Sequence, residues 1–185
     1  MLNVWMLFIF VAVCLYTDLT ERKIYNSVIL CGIVAALIIN IIQLNMIEGT
    51  LFTFTGLLIG ILLLIIPFIM GGLGAGDVKM LGMIGAFTGH GIVVQVMLAS
   101  AVVGGIYALI VMLAGRKLMS RMWKIIQGFY FFAATKKVVY CSNIQDKDAE
   151  KNAIPYGVAL SAGVIIIYVL GSMNHALTSM SFAGF

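Results

Sequence analysis

The chain has 185 residues, 63% of them hydrophobic and 10% charged, with a net charge of +4 and a mean hydropathy of +1.14. Soluble domains carry about a quarter charged residues, so this composition excludes one and leaves a polytopic membrane protein, a single membrane-embedded domain over 1–185. Cys14, Cys31 and Cys141 lack CxxC spacing, and His90 and His175 stand far apart, which argues against a disulfide framework or a metal site. Cys14 and Cys31 are expected as small buried residues, the histidines as loop residues, and no cofactor is expected.

In chain order, the first apolar segment covers about 2–17 and is followed by Arg22 and Lys23. It has no basic leader and no small-residue cleavage site, so it reads as a retained first span that ends in the cytoplasm. A second span is expected over 27–45, then a short turn holding Glu48, then a third span over 51–70. Gly56 and Gly60 in the third have the spacing that lets helices pack closely. Pro67 is expected to kink or fray its end. Next comes the cluster Gly71, Gly72, Gly74 and Gly76, running into Asp77 and Lys79. Glycine supplies no apolar surface, and ionisable groups near membrane depth are costly, so the stretch is a functional candidate. The bland alternative is a solvated turn.

The segment 78–89 is short for a membrane about 30 Å thick, whereas 91–114 is of full length. If only one crossed, the basic stretch 115–152 would lie outside the cell, against the positive-inside rule. Letting both cross places every Lys and Arg on the cytoplasmic side. The expected architecture is therefore all-α, a bundle of six transmembrane helices with a short, buried, Gly-rich fourth and a last span over 154–173. In the cytoplasmic loop 115–152, Leu118, Met122, Ile125, Ile126 and Phe129 recur at helical spacing beside Lys117, Arg121 and Lys124. That pattern predicts an amphipathic helix in the interface, in contact with the bilayer and its anionic lipids. Nucleic-acid binding is not expected, because the charge imbalance follows from topology.

This topology brings Asp18, at the end of span one, and Asp77, after span three, to one membrane face. Two carboxylates brought together repel, so one keeps a proton while the other ionises. Such a pair activates a water and protonates a leaving amine. Capping is the competing reading: Asp18 with Glu21 has the spacing of a capping box, and Asp77 fits an N-cap before a helix beginning near Val78. By helix polarity, Asp77 before a helix suits the base, and Asp18 after one suits the acid. Lys79 is a candidate either to hold Asp77 or to reach lipid phosphate.

The segment Gly74-Ala-Gly-Asp77-Val-Lys79 matches the GxGD signature, and Asp18-Leu-Thr-Glu-Arg22-Lys-Ile24-Tyr-Asn26 is similar to D-x-x-x-R-x-I-P-N. Together they resemble the type IV prepilin peptidases, GxGD-type intramembrane aspartyl proteases; Pro155-Tyr-Gly157 also resembles a motif of that family. The resemblance implies Asp18 and Asp77 as catalytic residues, with Arg22, Asn26, Gly74, Gly76, Lys79 and Pro155 shaping the site or binding substrate. It implies a bacterial or archaeal cytoplasmic-membrane enzyme that cuts a short basic leader from a pilin-like precursor at the cytoplasmic border. Tyr25 stands where the family has proline, which is expected to loosen that turn. Without a CxxC-bearing insertion the chain resembles the small, peptidase-only members, such as those serving tight-adherence pili, and no N-methyltransferase activity is expected. The alternative from another class is a small transporter that relays protons through the same carboxylates.

Overall fold

The computed structural model describes residues 2–21, 23–70, 73–114 and 156–182, and they are helical throughout apart from short connections. The helices are α1 (Leu2–Glu21), α2 (Asn26–Leu44), α3 (Met46–Ile69), α4 (Ala75–Ala114) and α5 (Tyr156–Phe182). Four of these, α1 to α4, are long and apolar enough to cross a membrane, and the segment Tyr156–Gly171 of α5 is a shorter apolar helix. The loop 115–152 with its expected amphipathic helix, Cys141, Arg22, Pro155 and the first two glycines of the cluster lie outside the described residues. The chain forms two compact units, Met1–Val103 with Pro155–Phe185, and Gly104–Ile154. The first unit holds α1, α2, α3, α5 and α4 up to Val103.

Within it, α1 packs on α2 and α5, and α2 packs on α3. The buried face of α1 is a stripe at helical spacing, Leu7, Val11, Cys14 and Asp18. A carboxylate thus continues the same line as three apolar side chains. The opposite faces of the helices are apolar and exposed, as at Trp5, Ile42 and Ile47. In a bilayer such faces meet lipid. Cys31, expected inside, is on one of these faces; in lipid a thiol there has no reason to turn inward.

Several boundaries differ from expectation for local reasons. α1 continues one turn past 17 because the Thr17 and Thr20 hydroxyls donate to the carbonyls of Cys14 and Tyr16, at 3.0 and 2.8 Å, instead of leaving the helix. The turn expected around Glu48 is a single residue. Asn45 takes φ 96° with ψ 163°, a strained conformation that few residues but glycine adopt, and α3 starts at once, with Glu48 in its first turn. Pro67 lies inside α3, which ends two residues later at Ile69. His90 lies in α4 rather than in a loop.

The break in α4 is at Gly89, with φ 76° and ψ 175°. A Cβ there would also sit 2.4 Å from the Phe52 ring of α3, so only glycine fits. The limb before the break, 75–88, holds the longest run of buried side chains among the described residues, with Met80, Leu81, Met83 and Ile84 fully enclosed. It lies against the small-residue face of α3. A Cβ on Gly56 would lie 2.0 Å from the Gly85 carbonyl oxygen, and one on Gly60 would lie 2.6 Å from that of Leu81. The two backbones touch there, as the Gly56–Gly60 spacing predicts.

A helix that ends among apolar side chains leaves carbonyls without amide partners. One is met from another helix: Asn40 of α2, fully buried, donates to the Ala86 carbonyl at 3.0 Å and to Thr53 Oγ1 at 2.9 Å. Asn3 of α1 donates in turn to Asn40 Oδ1 at 2.8 Å, so α1, α2, α3 and α4 share one polar cluster. Asn40→Ala takes its donor from the buried Ala86 carbonyl, while Thr53 still donates to the Gly49 carbonyl at 2.8 Å and half-buried Asn3 to Gln43 at 3.1 Å; a buried group left unmet costs about 1–3 kcal/mol. We expect a clear loss of thermal stability in detergent, and an unchanged melting temperature would show that the Ala86 carbonyl does not depend on Asn40.

Candidate active site

Asp18 is in the last turn of α1, and only 7% of its surface is exposed. It is therefore inside a helix, and the capping-box reading with Glu21 is corrected. Its Oδ2 is buried and accepts no hydrogen bond among the described residues. Facing it is the start of α5: the Gly157 amide lies toward the carboxylate, and a Cβ on Gly157 would be 2.5 Å from Oδ2 and 3.1 Å from Cγ. Glycine is what lets α5 come this near.

Asp77 is half-buried in the first turn of α4. The helix begins at Ala75, earlier than expected, so Gly74 takes the N-cap position and Asp77 the third helical one. The Asp77 amide donates to the Gly74 carbonyl at 3.2 Å, and Asp77 Oδ2 accepts from the Gly74 amide at 3.2 Å. This is the reaching-back half of a capping box. It fixes the carboxylate at the positive end of a helix, as the N-cap reading also required, but from inside the first turn.

The two carboxylates lie within electrostatic range of one another. Asp18 acts electrostatically on Asp77, and Asp77 acts on the half-buried phenol of Tyr156. The last turn of α1, the first turn of α4 and the first turn of α5 thus converge at one end of the bundle. Tyr156 and Gly157 are the site neighbours that the choice of Pro155 alone missed, and the Pro155-Tyr-Gly157 motif was the signal for them.

Gly76, Lys79 and Asn26, among the described candidates, lie around this arrangement. Gly76 faces Ile24, whose Cβ would be 3.2 Å from a Cβ on the glycine, so the connection after α1 lies directly on the GxGD turn. Lys79 is exposed, and its Nζ donates to Asn26 Oδ1 at 2.9 Å, joining the start of α2 to α4. Among the described residues it forms no ion pair with Asp77. Lys79→Met is accordingly expected to leave the acidic limb of the pH–rate profile in place, even where it lowers the rate. Movement of that limb would restore direct tuning of Asp77 by Lys79.

Tyr25 does not loosen the turn. Its φ of −74° lies in the range proline would impose, and its hydroxyl donates to Glu21. That carboxylate, one turn back, pushes the phenol above its ordinary range.

Comparison with curated proteins and with solved structures gives no match. The type IV leader peptidase family matches over residues 5–109, which span both Asp18 and Asp77, and the chain belongs to that family.

Proposed function

We propose that this peptidase removes the short basic leader of a pilin-like precursor at the cytoplasmic border of a bacterial or archaeal membrane, using Asp18 and Asp77 as its catalytic pair. The observation that carries the reading is that these two carboxylates, from separate helices, lie within electrostatic range at one end of a leader peptidase bundle. Asp77 is set in a helix N-terminal turn and takes a proton from the attacking water. Asp18, in the last turn of α1, gives its proton to the leaving amine nitrogen. The C–N bond breaks, the water oxygen joins the former carbonyl oxygen in the new carboxylate of the leader, and the amine becomes the N-terminus of the mature pilin.

In this reading both limbs of α4 and the helix α5 cross the membrane, giving six spans, and the site is shaped by Gly74, Gly76, Asn26, Arg22 and Pro155. The substrate's apolar helix lies beside the bundle with its scissile bond next to the two carboxylates. The chain cuts but does not methylate the new N-terminus.

The test is cleavage of pilin-like precursors from the same genome by the purified chain in vesicles, with N-terminal sequencing of the product. We expect a mature pilin with an unmethylated N-terminus. No cleavage of any of several precursors would overturn the reading and bring proton relay forward, which a vesicle pH-gradient assay would then detect.

A further inference from the structure

A groove of about 280 Å³ lies between α2, α3 and the first limb of α4. It borders neither carboxylate. Asn26 and Lys79 line one end, Ile33 and Leu57 lie deeper, and Gly82 and Ile61 lie between. The order follows the helices: on α2 the lining runs Asn26, Ile29, Leu30, Ile33, one face at helical spacing. Polarity therefore falls along the groove from a cation and an amide to hydrocarbon alone.

We propose that this groove binds one anionic phospholipid, with the headgroup phosphate on Lys79 and Asn26 and an acyl chain against Ile33, Leu57 and Ile61. Lys79 supplies the charge complementarity. It is exposed, its hydrogen-bond partner is a neutral amide, and among the described residues it has no carboxylate partner. None of the groove's lining residues is acidic, so nothing there meets the ammonium of a zwitterionic headgroup. A phosphate diester with an uncharged glycerol headgroup fits both facts. The proposal rests on the reading that this end of the bundle is at a membrane surface. It does not depend on catalysis by the carboxylates.

The experiment is fluorescence quenching in vesicles by brominated phosphatidylglycerol or brominated phosphatidylcholine. One chain carries Leu30→Trp, Trp5→Phe and Trp123→Phe, so the reporter is on the groove's exposed rim. A second retains Trp5 alone, which is on the surface near the start of α1. We expect the groove reporter to be quenched about threefold more efficiently by the glycerol lipid, with a ratio near one once Lys79→Gln is added. Trp5 should give a ratio near one throughout. A groove ratio near one with Lys79 present, or a preference that survives Lys79→Gln, overturns the proposal.

Because Leu30→Trp alters the rim, native mass spectrometry of the unaltered chain is the second measurement. It should retain one phosphatidylglycerol in preference to phosphatidylcholine, and Lys79→Gln should lose that preference. Absence of the preference in the unaltered chain overturns the proposal. Both measurements read binding, so failure here leaves the cleavage reading intact, and failed cleavage leaves this one intact.

Discussion

Asp18→Asn and Asp77→Asn are each expected to lower precursor cleavage by roughly 10⁴-fold while the protein still folds and inserts; general acid–base groups contribute up to about that much. The surroundings of each residue explain why activity and stability should part. Asp18 Oδ2 is buried without a hydrogen-bond donor among the described residues. A carboxylate in that position costs folding free energy, so the neutral amide should leave the protein at least as stable. At Asp77 the side-chain oxygen accepts the Gly74 amide, and an asparagine carbonyl can still accept it. The first turn of α4 should survive, with only proton transfer lost.

Because the two residues act as a unit, the double variant should be no slower than the worse single one. Rates from the size shift of a precursor, alongside thermal unfolding in detergent, check all three variants. A rate within tenfold of the unaltered chain in either single variant removes that residue from the chemistry.

The architecture was legible wherever it depended on residue size or backbone freedom. Gly56 and Gly60 announced a close helix crossing, and Gly85 of the opposing limb completes it. The short limb, expected over 78–89, breaks at Gly89, but the cause is visible only in the structure: a φ of 76° and the Phe52 ring close by. That Asp18 and Asp77 come near each other was expected from the distribution of Lys and Arg together with the alternation of spans, and the structure places them within electrostatic range.

What escaped the sequence depended on side-chain partners. Thr17 and Thr20 look like the start of a loop, yet each can satisfy its hydroxyl on its own helix, and so Asp18 stays helical. Lys79, two residues from Asp77, invited an ion pair. Successive helical positions point about 100° apart, so residues two apart face away from each other, and Lys79 meets Asn26 instead. Asn40 has no motif around it. Its role emerges only when the broken end of a helix lies opposite it.

Gly157→Ala is expected to cut the cleavage rate about 10²-fold or more with little change in the substrate concentration for half-maximal rate, because it misplaces a catalytic group without touching substrate binding. The added methyl would lie 2.5 Å from Asp18 Oδ2 and 3.1 Å from Cγ, too near for either atom to stay. Two adjustments are open. The carboxylate rotates away from Asp77, or the first turn of α5 moves off α1 and carries the Tyr156 phenol from its place near Asp77. Either one separates groups that must meet around a single water.

Rotation of a side chain is cheaper than separation of packed helices, so stability should fall little and the damage should appear in catalysis. A compensating change makes the argument specific. Asp18→Ala in the Gly157→Ala background should relieve the contact and restore any lost stability, with activity still absent. Thermal unfolding and precursor cleavage on the single and double variants decide it. Full activity in Gly157→Ala would mean that α5 is not held against Asp18 when the enzyme turns over.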